Sequence, residues 1–323
     1  MKRFVNLLGF ELGFYMRRMS TWVYFSIMTF MSFLMMITFA GAFPNVTTAI
    51  EGTDGTVLVN SPHVLLILIS MFGLFGTLVV AAVAGNAGYR DFANDFLRPG
   101  FENVRKRLGE RYPAVFLILG NDDGRSEEAA FLDVAATGLW TYAHNRNYSL
   151  STYQVFGYAY VPPTPFRLKD WEQYDVSRYV PPGCVSPEEG GRSMPRPEIE
   201  IKYSTIQKDL AMLAGDRTLD DAVFLFHTPP YDTNLDRVAN DGKMVDHVPL
   251  DLHVGSIAVR RFIEQRQPLV TLHGHIHESA RLTGSWKDRI GRTHLFGAAH
   301  DDAELALVRF DLEDPDSATR RLL

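Results

Sequence analysis

The chain has 323 residues, room for two domains. Its 32 Lys and Arg against 38 Asp and Glu give a net charge of −6, and an acidic surface argues against nonspecific nucleic-acid binding because it repels phosphate backbones. The lone cysteine, Cys184, excludes an intrachain disulfide and suits a reducing compartment.

Charge is unevenly placed. Residues 1–91 hold five basic and four acidic side chains, net +1, which leaves 27 and 34 in the remainder, net −7. From Ser20 to Ile50 there is no charged side chain, and a second uncharged run ends before Arg90. The cores of these runs, about 22–43 and 64–85, are long enough to cross a bilayer, which takes about 20 apolar residues of helix. The alternatives are two buried core helices or a signal peptide. The length of the first run and the presence of a second favour a transmembrane hairpin. Lys2, Arg3, Arg17 and Arg18 precede the first run, and Arg90, Arg98, Arg105 and Lys106 follow the second. The loop over 44–63 has Glu51 and Asp54 but no Lys or Arg. Positive charge stays inside, so a multi-pass membrane segment with both termini cytoplasmic is expected, with the lipid bilayer as a partner.

The stretches FELGFYMRRMSTWVYFSIMTF (10–30) and AVAGNAGYRDF (82–92) resemble the start of an ABC-2-type transporter permease, over residues about 1–92. That resemblance implies a membrane location. It carries no catalytic motif, and two spans do not make a transport path.

Beyond Asp91 the pattern changes. Phe101, Val104 and Leu108, at i, i+3 and i+7, predict a helix over 101–112. AVFLILGNDD (114–123) is an apolar run followed by glycine and three oxygen-bearing side chains. AVFLFHTPPYD (222–232) and PLVTLHGHIHES (268–279) repeat the design with histidines. Short apolar runs of this kind read as strands buried on both faces. In open α/β sheets ligands bind beyond the carboxyl ends of strands. Asn121, Asp122, Asp123, His227, His275 and His277 would then meet at one edge. Each motif alone also reads as an ordinary turn or a hydrogen-bonded histidine. In GHIH the glycine permits a tight bend, and histidines two apart can project the same way from an extended chain.

Taken together, GNDD, FHTPPYDTNLDRV (226–238), HVGSIAVRRFI (253–263) and LHGHIHES (272–279) resemble calcineurin-like metallophosphoesterases, from about residue 93 to 323. The resemblance implies a truncated α/β/β/α sandwich behind the hairpin and a phosphoester substrate. It implies two divalent cations, and Mn²⁺, Fe²⁺ or Zn²⁺ suit mixed imidazole and oxygen ligands. By resemblance, Asn121, His227 and His275 ligate one metal and His277 the other. Asp122 stands where the commoner pattern has a histidine acting on the leaving group. Asp123 and Glu278 are candidates to orient the imidazoles. His273 reads as a neighbour, and His253 and Asp236 lie in the resembling stretches without an assigned metal role.

The family's early Asp-x-His and Gly-Asp-x-x-Asp motifs are absent upstream of Gly120. One metal would keep three ligands and the other His277 alone, so hydrolysis is expected to be impaired. The sheet would lose strands and leave an apolar edge open. The two resemblances meet between about Phe92 and Leu97. That fits a membrane-tethered phosphoesterase. It also fits a chimera, a permease-derived anchor carrying a dead domain, for which a transporter ATPase subunit would be a partner.

In the remaining chain, 145–200 is rich in Pro, Gly and Tyr and reads as an irregular insertion, either a lid or a surface loop, with one strand over 152–161. A helix over 204–215 starts at Ser204 and stops at Gly215, and another covers 257–267. Residues 293–300 and 304–314 read as closing strands of a second sheet.

Overall fold

The computed structural model describes residues 92–323, together with Phe30. Apart from Phe30, the two apolar runs lie outside the described residues. Among the described residues, no helix is long and apolar enough to cross a membrane. The chain divides into two units, Met1–Gly85 and Asn86–Leu323, and every element below belongs to the second.

A π-helical turn, Phe92–Leu97, leads into α1, Arg98–Leu108, which begins three residues before the expected helix. Pro99 sits in its first turn, where a missing N–H costs nothing. Then come β1 (Phe116–Leu117), α2 (Glu128–Ala135), β2 (Thr141–Tyr142), β3 (Arg146–Leu150) and β4 (Tyr153–Tyr158). Next are α3 (Glu198–Tyr203), α4 (Ile206–Ala214), β5 (Ala222–Phe226), β6 (Met244–Val245), β7 (Val248–Pro249) and α5 (Ile257–Arg266). The chain closes with β8 (Val270–His273), α6 (Ser279–Thr283), β9 (Lys287–Ile290), β10 (Thr293–Gly297), β11 (Ala306–Arg309) and β12 (Thr319–Leu322).

The fold is mixed α/β around a six-stranded mixed sheet of order β3-β4-β5-β8-β10-β9. Its four inner strands are parallel, and β3 and β9 close the edges antiparallel. Alternation along β5 shows why its sequence is apolar throughout. Phe224 and Phe226 face the larger core with Phe262 of α5, whereas Val223 faces a second core with Val270 and Phe296. A strand covered on both faces has no polar side. Phe156 of β4 is the register partner of Phe224, and their rings stack at 4.5 Å.

Three expectations change. Thr293–Gly297 does not close a second sheet. All five of its residues are buried, as an inner strand requires, and it lies between β8 and β9. The other pairs, β1-β2, β11-β12 and β6-β7, have two strands each, so no second large sheet faces the first among the described residues. The cap of α4 is Thr205, one residue after Ser204, with its hydroxyl accepting from Lys208 N at 3.2 Å; Gly215 ends the helix at φ 55°.

The segment 145–200 is neither wholly a lid nor a loose loop. Its start supplies β3 and β4, and its irregular part is tied inward. Lys169 and Glu172 pair at full burial, with Glu172 also accepting from Thr164 N at 2.7 Å. The Asp175 carboxylate caps α5, accepting from Ser256 Oγ at 2.5 Å and Ile257 N at 2.7 Å.

The apolar run ahead of Asn121 is less covered than β5. Val115, Phe116, Leu117 and Ile118 are only half-buried, and among the described residues β1 has a neighbour, β2, on one edge only.

Candidate metal centre

Three chain segments converge beyond the ends of β1, β5 and β8. Asn121 follows β1 and is 5% exposed, His227 directly follows β5, and His275 lies two residues past β8. Asn121 Oδ1 is 2.8 Å from His227 Nε2 and 2.8 Å from His275 Nδ1. The two imidazole rings are 5.2 Å apart, tilted by 55°. Residues 106 and 154 positions apart in sequence thus share one oxygen.

Local packing sets this arrangement. Gly120 lies flat on the His227 ring, where a Cβ would fall 2.5 Å from Cε1 and 2.7 Å from Nε2. Gly274 N donates to His227 O at 3.0 Å, fastening the end of β8 to the end of β5. The bend after β8 is not made by a left-handed glycine. His275 itself takes the left-handed conformation, φ 68°, which is strained for a residue with a Cβ. The extended geometry expected for GHIH is therefore broken at its centre. His275 is turned in to Asn121, and His277 is exposed.

Burial, with the nearby His277, pushes His227 down to about 4. Burial, then His227 and His277, holds His275 well below the ordinary histidine range. Both rings are neutral at physiological pH, the state in which imidazole binds a cation.

The neighbouring side chains have distinct places. Asp122 Oδ1 accepts from Asn121 Nδ2 at 3.2 Å, which leaves Asn121 Oδ1 for the histidines. Asp123 Oδ2 accepts from Gly120 N at 2.7 Å and shapes the turn; its carboxyl is raised, chiefly by burial. Glu278 precedes α6, and its carbonyl accepts from Arg281 N and Leu282 N. His273 is buried, with Nδ1 3.0 Å from Thr228 O and Nε2 2.8 Å from Thr271 Oγ1, so both nitrogens have partners.

Among the described residues no group of three His, Cys, Asp or Glu side chains is gathered for a metal ion. The oxygen gathered beside the two histidines is instead the amide oxygen of Asn121. The 2.8 Å separations at Asn121 are N–H···O hydrogen bonds, with the amide oxygen accepting from both rings.

A second feature was not legible as a site. His253 Nδ1 lies 2.7 Å from Asp236 Oδ1, and Asp236 is fully buried. Only the wider motif around these two residues marks them in the sequence.

No family model matches the chain, and no curated protein matches it. Among solved structures, the crystal structure of TT1561 of Thermus thermophilus is similar at 16% identity, over 70% of this chain and 79% of that one, with a TM-score of 0.38. Another crystal structure shares 15% identity over 73% of this chain and 74% of its own, with a TM-score of 0.37. Superpositions this loose assign neither a family nor an activity.

Proposed function

We propose that residues 93–323 are a metal-dependent phosphoesterase domain, tethered by the apolar hairpin to the cytoplasmic face of a membrane. What supports this most is Asn121 Oδ1 standing 2.8 Å from both His227 Nε2 and His275 Nδ1. Asn121, His227 and His275 would hold a divalent cation such as Mn²⁺, Fe²⁺ or Zn²⁺. A cation there would supply charge for a phosphate and lower the pKa of a bound water. Asp122 keeps the Asn121 oxygen aimed at the histidines, and Gly120 keeps His227 in place. His277 would serve a second cation only with donors from outside the described residues, so turnover is expected to be slow.

The test uses the full chain in lipid nanodiscs, stripped and reloaded with Mn²⁺ or Zn²⁺, with bis(p-nitrophenyl) phosphate as substrate. Metal uptake near one equivalent and slow hydrolysis, both lost in Asn121→Ala, are expected. Uptake without any turnover would sink the activity and leave the second reading, a membrane anchor with a dead domain. That reading is favoured by the lack, among the described residues, of a carboxylate donor at the three-ligand cluster. No uptake at all would sink the metal centre itself.

A further inference from the structure

A polar pocket, of about 410 Å³, lies in front of His253 and is lined by Asp232, Asn234, Arg237, His253 and Asp288 among others. The position of His253 is set from behind. Asp236, fully buried, accepts from Asp232 N at 2.9 Å, Thr233 N at 2.9 Å and Gly255 N at 3.1 Å. Its Oδ1 also takes His253 Nδ1 at 2.7 Å. A carboxylate only accepts, so Nδ1 carries the proton, and in the neutral ring Nε2 presents its lone pair. That atom lies 3.9 Å from Asp232 Oδ1, with the His253 side chain 29% exposed and that of Asp232 62% exposed.

Two groups turned to this space accept hydrogen bonds, the Nε2 lone pair and the Asp232 carboxylate, 3.9 Å apart. A ligand that donates from adjacent positions fits them. An ammonium group also donates, but the Asp232 carboxylate already has a cation beside it, Arg260 Nη1 at 3.4 Å from Oδ2. A neutral donor leaves that pair in place, and a carboxylate accepting from ribose hydroxyls is a recurrent arrangement.

We infer that the His253–Asp236 pair and Asp232 form a binding site for a vicinal diol, as on a ribose or glycerol unit. Asp232 follows His227 by five residues, and Gly255 packs on the turn between them, where a Cβ would fall 2.7 Å from Pro229 O. If the phosphoesterase reading holds, the diol belongs to the alcohol portion of the ester; diol binding itself needs neither metal nor turnover.

The experiment is a titration of the ¹⁵N-histidine-labelled, metal-free full chain in nanodiscs, with the His253 ring signals identified through His253→Gln. The probes are methyl β-D-ribofuranoside, tetrahydrofurfuryl alcohol (which lacks the diol) and methylammonium. A saturable shift at millimolar riboside, at least tenfold weaker with the diol-free alcohol and in Asp232→Asn, is expected. Equal responses to riboside and diol-free alcohol, a response to methylammonium alone, or none at all would overturn the inference. None of these outcomes depends on hydrolysis, so the site stands or falls apart from the phosphoesterase reading.

Discussion

Gly120 and His227 are in face-to-backbone contact so close that no side chain fits between them: a Cβ at 120 would lie within 3 Å of three atoms of the His227 ring. Gly120→Ala must move the ring, the glycine or both. Overpacking of this kind costs about 1–3 kcal/mol, and the displaced ring loses its 2.8 Å approach to Asn121. A lower urea midpoint and a loss of metal affinity of at least tenfold are expected, read by calorimetric titration with Zn²⁺. Gly274→Ala is the contrast, because its Cβ would meet His227 at an ordinary 3.6 Å. Equal effects of the two variants would show that the Gly120 contact is not decisive.

Two buried histidines that make no hydrogen bond to Asn121 set an acid limit. Burial, then Arg125, pushes His144 down to about 3, and burial pushes His273 down to about 4. In the unfolded chain an imidazole titrates near 6.5. Between these values the unfolded chain binds more protons, so stability falls as pH falls. The contribution is complete above about pH 6.5 and is lost as pH drops toward 4, at up to about 1.4 kcal/mol per pH unit for each ring. His144 Nδ1 accepts from Ala159 N at 3.0 Å, a bond that protonation would break. Urea unfolding at pH 7 and pH 5 should show a clear loss, smaller in His144→Gln. A flat profile would contradict the burial of both rings.

The Lys169–Glu172 pair is fully enclosed. Lys169→Met leaves a carboxylate buried without its cation, a change that costs about 3–5 kcal/mol. Burial already raises the Glu172 carboxyl, which the Lys169 and Thr164 hydrogen bonds counter. The double variant Lys169→Met with Glu172→Leu should regain most of the loss. Denaturant midpoints of the three proteins decide this, and a double variant as weak as the single one would refute it.

At the start of α5 the cap comes from Asp175, some 80 residues away. Asp175→Ala removes the acceptor for Ser256 Oγ and Ile257 N and should destabilise by about 1–3 kcal/mol. Hydrogen exchange should speed up first at Ile257 and Ala258. Unchanged exchange there would mean that the Ser256 cap, which accepts from Val259 N at 3.0 Å, suffices alone.

The half-buried face of Val115–Ile118, with one strand edge unpaired among the described residues, invites edge-to-edge association. Phe116→Lys should lower the concentration-dependent scattering of the protein. No change would place the association elsewhere.

How much of this was legible depended on how local the signal is. β5 and β8 were readable because strands covered on both faces leave uninterrupted apolar runs, and their ends carried His227 and His275 to one place. The same rule misjudged 114–119, since an apolar run does not report whether its neighbour strand exists. Periodicity marked 293–297 as a strand but could not assign it to a sheet. Two hydroxyl residues in a row, Ser204 and Thr205, left the cap of α4 uncertain by one position. In GHIH the glycine is the residue that permits a tight bend, yet the left-handed residue is His275. Asp175 on α5 and Asp236 behind His253 are contacts across the chain, and no local pattern encodes them.

At His275 the backbone and the side chain ask for different amino acids. A left-handed φ of 68° is met more easily by Gly or Asn, and relief of that strain is worth about 1–2 kcal/mol. Either replacement would give up the imidazole that faces Asn121. A search for thermostable variants would therefore enrich His275→Gly or His275→Asn, while a search for metal-dependent activity would discard them. Under the metal-centre reading, stability and chemistry compete for this one codon.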